Sequence, residues 1–223
     1  MNEYAVSEIF TSLQGEGLYT GTPMTFIRFA GCSVGKKTCQ YCDTDFEKAY
    51  PWKGGGMFTT QALASRVPGP HVCLTGGEPM DQDLYPLLGA LRSKYIHIET
   101  SGTVFPDWMH TQERIFSESP GHRTLAGLRI WLWITVSPKP GYLPAMLEEA
   151  DELKVIVPGL GVGEGWMNLE EALRWANRKP VFLQPRNSKH EIDQLNLQLT
   201  EELVLENPTL RLSMQSHKVL KVR

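Results

Sequence analysis

Short runs of apolar residues recur along the chain, and most of them end in a polar or glycine-rich segment. Runs of this length that end in turn-forming residues are typical of buried β-strands. The pattern predicts strands at Thr25–Ala30, His71–Leu74, Tyr95–Ile98, Ile130–Val136, Leu153–Val157, Val181–Leu183 and Leu210–Met214. The chemically rich segments, with cysteine, glutamate, lysine and amide side chains, follow directly after these predicted strands.

Between the strands lie stretches with features of helices. Thr59–Arg66 begins with a threonine suited to capping, Asp81–Lys94 spaces four leucines along one face, and Asn168–Arg178 begins with a capping asparagine. Alternation of strand and helix indicates βα units and a mainly parallel sheet. Ligands bind such folds at the carboxyl ends of the strands, which is where the polar segments fall. Periodicity is weak over residues 104–127, and no element is predicted there.

Composition is ordinary for a soluble globular protein, with 41% hydrophobic and 21% charged residues. A chain of 223 residues supports one sizeable core, so we expect a single domain over residues 1–223. The net charge of −3 gives no reason to expect a nucleic-acid or anionic-membrane partner. No apolar run approaches the roughly 20 residues needed to span a bilayer, and the first residues do not resemble a signal peptide.

Three thiols fall within eleven residues near the amino terminus, at Cys32, Cys39 and Cys42. Cysteine thiolates hold iron–sulfur clusters, and a cluster with only three protein ligands keeps one iron open. An open coordination position is typical of metal sites that do chemistry. Gly31 and Gly35 allow the backbone to turn around such a cluster.

A structural zinc site is the alternative use of these thiols. Its fourth ligand would be His71, His97 or Cys73. Cys73 and His97 are otherwise expected in the core, Cys73 as a small buried apolar residue and His97 as a core histidine. Unpaired thiols with cluster spacing fit a reducing compartment, so we expect a cytoplasmic protein.

The segment Thr75–Pro79 places Gly76, Gly77 and Glu78 at the end of a predicted strand. Paired glycines let a ligand's ammonium group approach backbone carbonyls, and Glu78 either adds a charge or anchors the loop. A plain tight turn explains the same residues about as well. The motif becomes informative because it follows a three-cysteine loop.

Taken together, these motifs resemble those of radical S-adenosylmethionine enzymes and, more narrowly, those of the 7-carboxy-7-deazaguanine synthase family. Each match is weak alone, but a long series of matches in the family's order is specific. The series strongly disfavours the structural zinc site. They cover nearly the whole chain, at Leu13–Gly17, Phe26–Arg28, Gly31–Cys32, Cys42–Thr44, Thr75–Pro79, Glu99–Thr103, Ser137–Lys139, Gln184–Pro185 and Gln215–Lys218.

The resemblance implies a role for each matching residue, and no side chain is implied as a catalyst. The [4Fe–4S] cluster would be bound by Cys32, Cys39 and Cys42, and Mg²⁺ by Thr44. S-adenosylmethionine would be bound by Tyr41, Cys42, Asp43, Gly76, Gly77, Gly102, Ser137, Pro138, Lys139, Gln184, Pro185, Arg186 and Asn187. The substrate, which in this family is 6-carboxy-5,6,7,8-tetrahydropterin, would be bound by Leu13, Gln14, Gly15, Arg28, Thr100 and His217.

Two of these implied roles make simple physical sense. Arg28 has a planar fork that matches a carboxylate, and its place inside an apolar strand argues for a buried anionic partner. Mg²⁺ prefers hard oxygen ligands and usually keeps substrate and water in its shell. One hydroxyl from Thr44 is too little for a protein-only site, so the substrate would complete the coordination.

The family's reaction is a ring contraction in queuosine and other 7-deazapurine biosynthesis. A radical derived from S-adenosylmethionine removes hydrogen from substrate carbon 6, and loss of ammonia gives 7-carboxy-7-deazaguanine. The resemblance also implies an α/β fold, a single-domain incomplete (β/α) TIM-like barrel, a homodimer, and a reducing partner such as flavodoxin or ferredoxin. Two alternatives are another radical reaction, such as glycyl-radical activation, and a non-enzymatic zinc or partner-binding module.

The cysteine loop departs from the pattern of the wider superfamily. Six residues, Ser33–Thr38, separate Cys32 from Cys39, where most members have three. The 7-carboxy-7-deazaguanine synthase family varies in this loop, so the assignment stands while the path of the loop stays open. Lys36 and Lys37 are expected near the anionic cluster, facing an electron donor, or at a solvated loop tip.

Overall fold

The computed structural model describes residues 2–39, 42, 44–114, 120–157, 164–188 and 191–222. Eleven strands within these ranges join into one sheet. They are β1 (Glu3–Leu13), β2 (Pro23–Phe29), β3 (Gly56–Thr59), β4 (His71–Gly76), β5 (Tyr95–Thr100), β6 (Gln112–Arg114), β7 (His122–Leu125), β8 (Leu128–Val136), β9 (Glu152–Val157), β10 (Val181–Pro185) and β11 (Arg211–Leu212).

Seven α-helices occur within the same ranges, most of them short, and no described helix is long and apolar enough to cross a bilayer. They are α1 (Gly35–Thr38), α2 (Thr60–Ala64), α3 (Tyr85–Ala90), α4 (Pro144–Glu149), α5 (Leu169–Ala176), α6 (Gln194–Glu206) and α7 (Ser216–Leu220). Short 3-10 helices cover Pro51–Lys53, Pro79–Asp81 and Asp107–Thr111.

The sheet is open, with β11 at one edge and β3 at the other. Its strand order is β11-β10-β9-β8-β5-β4-β2-β1-β3, and β6 and β7 form a side branch on β8. All neighbours from β2 to β11 along this order pair in parallel, whereas β1 pairs antiparallel with both β2 and β3. Parallel strands joined by helices in an open arrangement form the incomplete TIM-like barrel that was expected.

Both faces of the parallel strands are buried, because side chains alternate across a strand. On β4, Val72 and Leu74 belong to the main core, which includes leucines of α2 and α3. Cys73 points to the opposite face, where it packs with Met24 and Phe26 of β2. Cys73 has no exposed surface, which confirms that it is a buried apolar residue.

An aromatic cluster fills one end of the barrel interior. His97 on β5 is 3% exposed and packs edge-on against Tyr19, with ring centroids 4.7 Å apart, while Trp131 and Trp133 of β8 lie alongside. Burial lowers the pKa of His97 to about 3, and the neighbouring His71 acts in the same direction. His97 is therefore a neutral core histidine, as the sequence indicated.

Several elements differ from the pattern-based prediction. The helix predicted over Asp81–Lys94 is limited to Tyr85–Ala90, because Pro86 fits only the first turn of a helix. Within residues 104–127, the described part contains a 3-10 helix and the β6–β7 hairpin. Strands β1 and β3 and helices α1, α4, α6 and α7 were not predicted.

Candidate active site

A cavity of about 560 Å³ opens at the carboxyl ends of the parallel strands. Its wall is built from the ends of β2, β4, β5, β8, β9 and β10 and from the segments that follow them. The loop after β1 and the carboxyl-terminal helix α7 complete the wall. This is the edge at which barrels of this type bind their ligands.

Most of the predicted site residues meet at this one cavity. Those that line it are Leu13, Gln14, Gly15, Arg28, Cys32, Cys39, Cys42, Thr44, Gly76, Gly77, Thr100, Ser137, Lys139, Gln184, Pro185, Arg186, Asn187 and His217. Gly102 and Pro138 are described but are not among the lining residues, and Tyr41 and Asp43 lie outside the described residues. The individual roles of all these residues stay predictions.

The paired glycines pack against the chain that leads into the first cysteine. A Cβ atom on Gly77 would lie 1.6 Å from the carbonyl oxygen of Gly31, and one on Gly76 would lie 2.3 Å from the amide nitrogen of Phe29. The amide of Glu78 donates to the carbonyl of Gly31 at 3.1 Å. These contacts need glycine, because any side chain would push the strand ends apart. The glycines thus fix the position of the backbone before Cys32.

Glu78 anchors this loop to the next strand. Its buried carboxylate accepts hydrogen bonds from the hydroxyl of Thr100 at 2.6 Å, the amide of Ser101 at 2.8 Å and the amide of Met80 at 3.0 Å. Burial raises the pKa of Glu78, and these hydrogen bonds act in the opposite direction. The choice left open by the sequence is settled in favour of anchoring. It also commits the hydroxyl of Thr100 to Glu78.

The lengthened cysteine loop forms one extra helical turn. Helix α1 occupies the insert between Cys32 and Cys39, and the amide of Cys39 donates to the carbonyl of Gly35 at 3.1 Å. The amide of Cys42 in turn donates to the carbonyl of Cys39 at 2.9 Å. The insert therefore projects as a compact turn, and the three thiols still face the same cavity.

The thiol environment suits metal binding coupled to deprotonation. Burial raises the pKa of Cys39, while the ammonium of Lys139 lowers it. Burial also raises the pKa of Cys32, against the effect of backbone N–H groups at Gly35 and Val34. A neutral thiol must lose its proton to bind metal, so cluster assembly would release protons here.

The three cysteine thiols are arranged in a way that fits an iron–sulfur cluster better than a single metal ion. Among the described residues, no three His, Cys, Asp or Glu side chains converge on one ion position. A cubic cluster takes each thiolate on a different iron, so its ligands surround the cluster instead of meeting at a point. His71, His97 and Cys73, the proposed fourth ligands for zinc, are not among the described lining residues.

The two lysines of the insert lie at the surface. Lys36 is half exposed, its ammonium lies 2.7 Å from the carboxylate of Glu47, and it lies 5.6 Å from the ring centroid of Phe46. Lys37 is also exposed. Of the three sequence-based expectations, the solvated loop tip agrees best with these positions.

Arg28 has a partner that the sequence did not reveal. Its Nε donates to a carboxylate oxygen of Glu8 at 2.8 Å, and Nη1 lies 3.4 Å from the hydroxyl oxygen of Thr44. Glu8 lies on β1, opposite Arg28 in the antiparallel pairing. Because β1 was not predicted, no pattern linked Glu8 to Arg28. An anionic partner of Arg28 thus exists within the chain itself, in a pair that is partly exposed at the cavity wall.

A second buried ion group lies across the cavity. The ammonium of Lys154 on β9 contacts the carboxylate of Glu16 and lies 3.8 Å from that of Glu99. Burial alone would raise the pKa of Glu16, but Lys154 and a 2.7 Å hydrogen bond from Gln215 lower it to about 2. Lys154 was not singled out from sequence, since one lysine in an apolar strand gives no local signal.

The carboxyl-terminal segment is attached to the loop after β1. The amide of Ser216 donates to the carbonyl of Gly15 at 2.9 Å, and the amide of Gly17 donates to the hydroxyl of Ser213 at 3.2 Å. The ring of His217 packs directly on Gly15, where a Cβ atom would lie 2.1 Å from its Nδ1. His217 therefore lines the cavity, as expected. These contacts join the loop after β1 to the segment that follows the edge strand β11.

The chain resembles proteins of one kind over nearly its full length. A relative from Bacteroides thetaiotaomicron is 34% identical, with 98% of each chain covered, and one from Burkholderia multivorans is 32% identical, with 98% of this chain and 99% of the relative covered. Both are named 7-carboxy-7-deazaguanine synthase. The crystal structure of QueE from Escherichia coli superposes with a TM-score of 0.66 at 28% identity, covering 95% of this chain and 93% of that one. No protein-family model matches.

The open barrel, the three-cysteine loop and these relatives together define a radical S-adenosylmethionine enzyme, a class that works with a [4Fe–4S] cluster and S-adenosylmethionine. The chain belongs to the 7-carboxy-7-deazaguanine synthase family. This membership decides against a zinc module and against a glycyl-radical activase.

The ion pair at Glu16 gives a prediction for stability against pH. The folded pKa of about 2 lies below the ordinary value of 4.5, so the carboxylate's contribution is present above pH 4.5. It is lost as the pH falls from there towards 2. Lys154→Met should lower the free energy of unfolding by about 3–5 kcal/mol at pH 7, because it leaves a buried carboxylate unpaired.

Urea unfolding of Lys154→Met and the wild type at several pH values measures this effect. The stability difference should shrink in acid, where Glu16 becomes protonated in the variant. Arg174→Met, which removes an exposed i,i+4 pair with Glu170, serves as the control and should change stability by less than about 0.5 kcal/mol. A Lys154→Met difference that is small at pH 7, or constant across pH, would contradict the prediction.

Proposed function

We propose that this protein converts 6-carboxy-5,6,7,8-tetrahydropterin to 7-carboxy-7-deazaguanine with loss of ammonia, in queuosine and other 7-deazapurine biosynthesis. The observation that carries the proposal is the 34% identity to a named synthase over 98% of both chains. The geometry supports it, because one cavity gathers the three cysteines, Arg28 and the glycine loop. A single active site of about 560 Å³ is of the size that small-molecule sites usually have.

The cofactor half of the site lies around the cysteines. When bound, the cluster and S-adenosylmethionine supply one-electron cleavage of the sulfonium and a carbon radical that takes hydrogen from the substrate. Cys32, Cys39 and Cys42 hold the cluster in this proposal. Lys139 supplies a cation for the cofactor's carboxylate, since its ammonium lines the same cavity 2.7 Å from the hydroxyl of Ser137.

The remaining cofactor contacts come from the ends of several strands. Gly76 and Gly77 line the cavity without side chains, and we assign their backbone to the cofactor's ammonium. Gln184 is held by a 3.0 Å hydrogen bond from Ser213, and Asn187 donates to Gln215 at 3.0 Å. We assign these two residues, with Pro185 and Arg186, to the cofactor's nucleoside.

The substrate half of the site lies around Arg28. Nε of Arg28 donates to Glu8 and one N–H of Nη1 points to Thr44, so Nη2 and the second N–H of Nη1 remain to pair with the substrate's carboxylate. Thr44, next to Nη1, contributes one oxygen to Mg²⁺, whose shell the substrate and water complete. Leu13, Gln14, Gly15, Thr100 and His217 form the rest of the substrate wall. The carboxyl-terminal segment excludes water by covering the loop after β1.

The proposal has further parts that rest mainly on family likeness. We assign a homodimer, one functional domain over residues 1–223, and an external reductant such as flavodoxin or ferredoxin. All four cysteines are free thiols, which suits a reducing cytoplasm.

Anaerobic turnover tests the proposed function. The reconstituted protein, given a chemical reductant, Mg²⁺, S-adenosylmethionine and 6-carboxytetrahydropterin, should form 7-carboxy-7-deazaguanine, detected by mass spectrometry. Cys39→Ala should abolish product formation because the cluster loses an iron ligand. Cys73→Ala, which alters a buried thiol outside the cavity lining, should keep activity. Absence of product from the cluster-loaded wild type would refute the proposal.

The assignment of Arg28 predicts a defect in substrate binding. Arg28→Ala should weaken binding of the carboxypterin by about 10- to 150-fold, because a charged carboxylate loses its hydrogen bonds. Affinity for S-adenosylmethionine, measured on the same reconstituted variant, should stay within a few-fold of the wild type. Arg66→Ala, at an exposed arginine elsewhere, is the matched control. Unchanged carboxypterin affinity in Arg28→Ala would remove this residue from the site.

A further inference from the structure

Glu99 is a charged residue of the cavity wall that the assignments above leave without a role. It lies near the carboxyl end of β5 and lines the cavity. Its closest cation, the ammonium of Lys154, is 3.8 Å away and is already in direct contact with Glu16. Two carboxylates thus share one ammonium, which leaves this group of three side chains with one negative charge in excess.

The hydrogen bonds made by Glu99 do not saturate its carboxylate. One oxygen accepts from the side-chain amide of Gln14 at 3.0 Å, and the other accepts from the hydroxyl of Thr75 at 3.2 Å. An ionised carboxylate has about four acceptor positions, so capacity remains on both oxygens. The side chain of Glu99 is 22% exposed, against 13% for Glu16. Glu16 also lines the cavity, but Glu99 is the more exposed of the two carboxylates and is not in direct contact with Lys154.

Glu99 also lies at a suitable distance from Arg28. Arg28 on β2 is in register with Thr75 on β4, and Thr75 bonds to Glu99 on the next strand, β5. Two strand spacings of roughly 4.8 Å separate the backbones of Arg28 and Glu99 by about 10 Å. A ligand about as long as a pterin can therefore extend across these strands from one side chain towards the other. Arg28 and Glu99 thus place one cation and one anion on the same cavity, two strands apart.

One edge of the pterin carries hydrogen-bond donors that suit the unused acceptor positions of the Glu99 carboxylate. The 2-amino group and the ring N3–H point in nearly the same direction, as the two N–H groups of an arginine fork do. A carboxylate accepts such a pair through both oxygens, which fixes orientation as well as adding binding energy. Leaving a partly desolvated carboxylate without such donors costs free energy, so a ligand that lacks them binds less well.

We propose that Glu99 determines substrate specificity by accepting hydrogen bonds from the 2-amino group and N3–H of the pterin. Gln14, Thr75 and Lys154 act as positioning residues that hold Glu99 at the cavity wall. The inference rests on the proposed function for the identity of the substrate. It assigns to Glu99 the end of the molecule opposite to the carboxylate bound by Arg28.

A comparison of two substrates tests this role on the reconstituted holoenzyme. The kcat/KM for 6-carboxytetrahydropterin is divided by that for its 2-desamino analogue, which lacks one of the two donors. The wild type should prefer the amino compound by about 10- to 150-fold, which is the loss expected when a hydrogen bond to a charged group is removed. In Glu99→Gln this ratio should fall to within a few-fold of one. The amide NH₂ of glutamine is itself a donor, so it cannot accept a hydrogen bond from the donor edge of the pterin.

Glu152→Gln is the matched control. Glu152 is a buried carboxylate on β9 that accepts from Thr135 at 2.8 Å and from the amide of Leu18 at 3.0 Å, and it is not among the described lining residues. Its substitution should keep the wild-type ratio even if the protein loses stability. Glu99→Asp, which keeps the charge but withdraws it by one methylene group, should lower the ratio as well and replaces Glu99→Gln if that variant does not fold.

The possible outcomes separate the role of Glu99 from the proposed function. A ratio that falls in the Glu99 variants and not in Glu152→Gln supports the proposal, since a merely structural loss would slow both compounds equally. A wild-type ratio near one, or an unchanged ratio in the Glu99 variants, overturns it. Failure of the wild type to turn over the carboxypterin at all would refute the proposed function instead, and is distinguishable because no ratio then exists.

Discussion

The close approach of Gly77 to the carbonyl oxygen of Gly31 is the contact on which the rest of the site depends. It joins the end of β4 to the end of β2 immediately before Cys32, and no residue with a Cβ atom fits there. Glu78 then ties the same loop to β5 through Thr100 and Ser101. Three strand ends are thus locked together by backbone contacts and one buried carboxylate. The cysteine loop starts from this fixed point, so its extra turn changes the surface and not the position of the first thiol.

Around this point the cavity carries more charge than a protein interior usually does. Arg28 pairs with Glu8, Lys154 pairs with Glu16, and the ammonium of Lys139 lies near the thiol of Cys39. Buried charges are expensive unless paired, so a cavity lined with them is organised for charged or strongly polar ligands. The same ion pairs connect segments that are far apart in sequence. The cavity wall and the packing between distant segments therefore share charged residues, as Lys154 and Glu16 show.

The sequence predicted the parts of the structure that local patterns determine. The central strands were found because short apolar runs end in turn residues, and the site motifs were found because each is contiguous. Strand β1 was missed, since polar Ser7 and Glu8 interrupt its apolar pattern and Val6 and Glu8 flank a shift in register. The partners Glu8, Lys154 and Glu99 could not be assigned, because their meaning comes from residues on other strands. Helix α6 exposes Leu195 and Leu205, which obscures its buried face.

The most direct test of the account is electron paramagnetic resonance of the reduced, anaerobically reconstituted protein with and without S-adenosylmethionine. The account predicts about four irons per chain and a cluster signal that shifts when S-adenosylmethionine is added, because three cysteines leave one iron open. A signal that does not respond to S-adenosylmethionine, or a cluster with a fourth ligand from the chain, would contradict it.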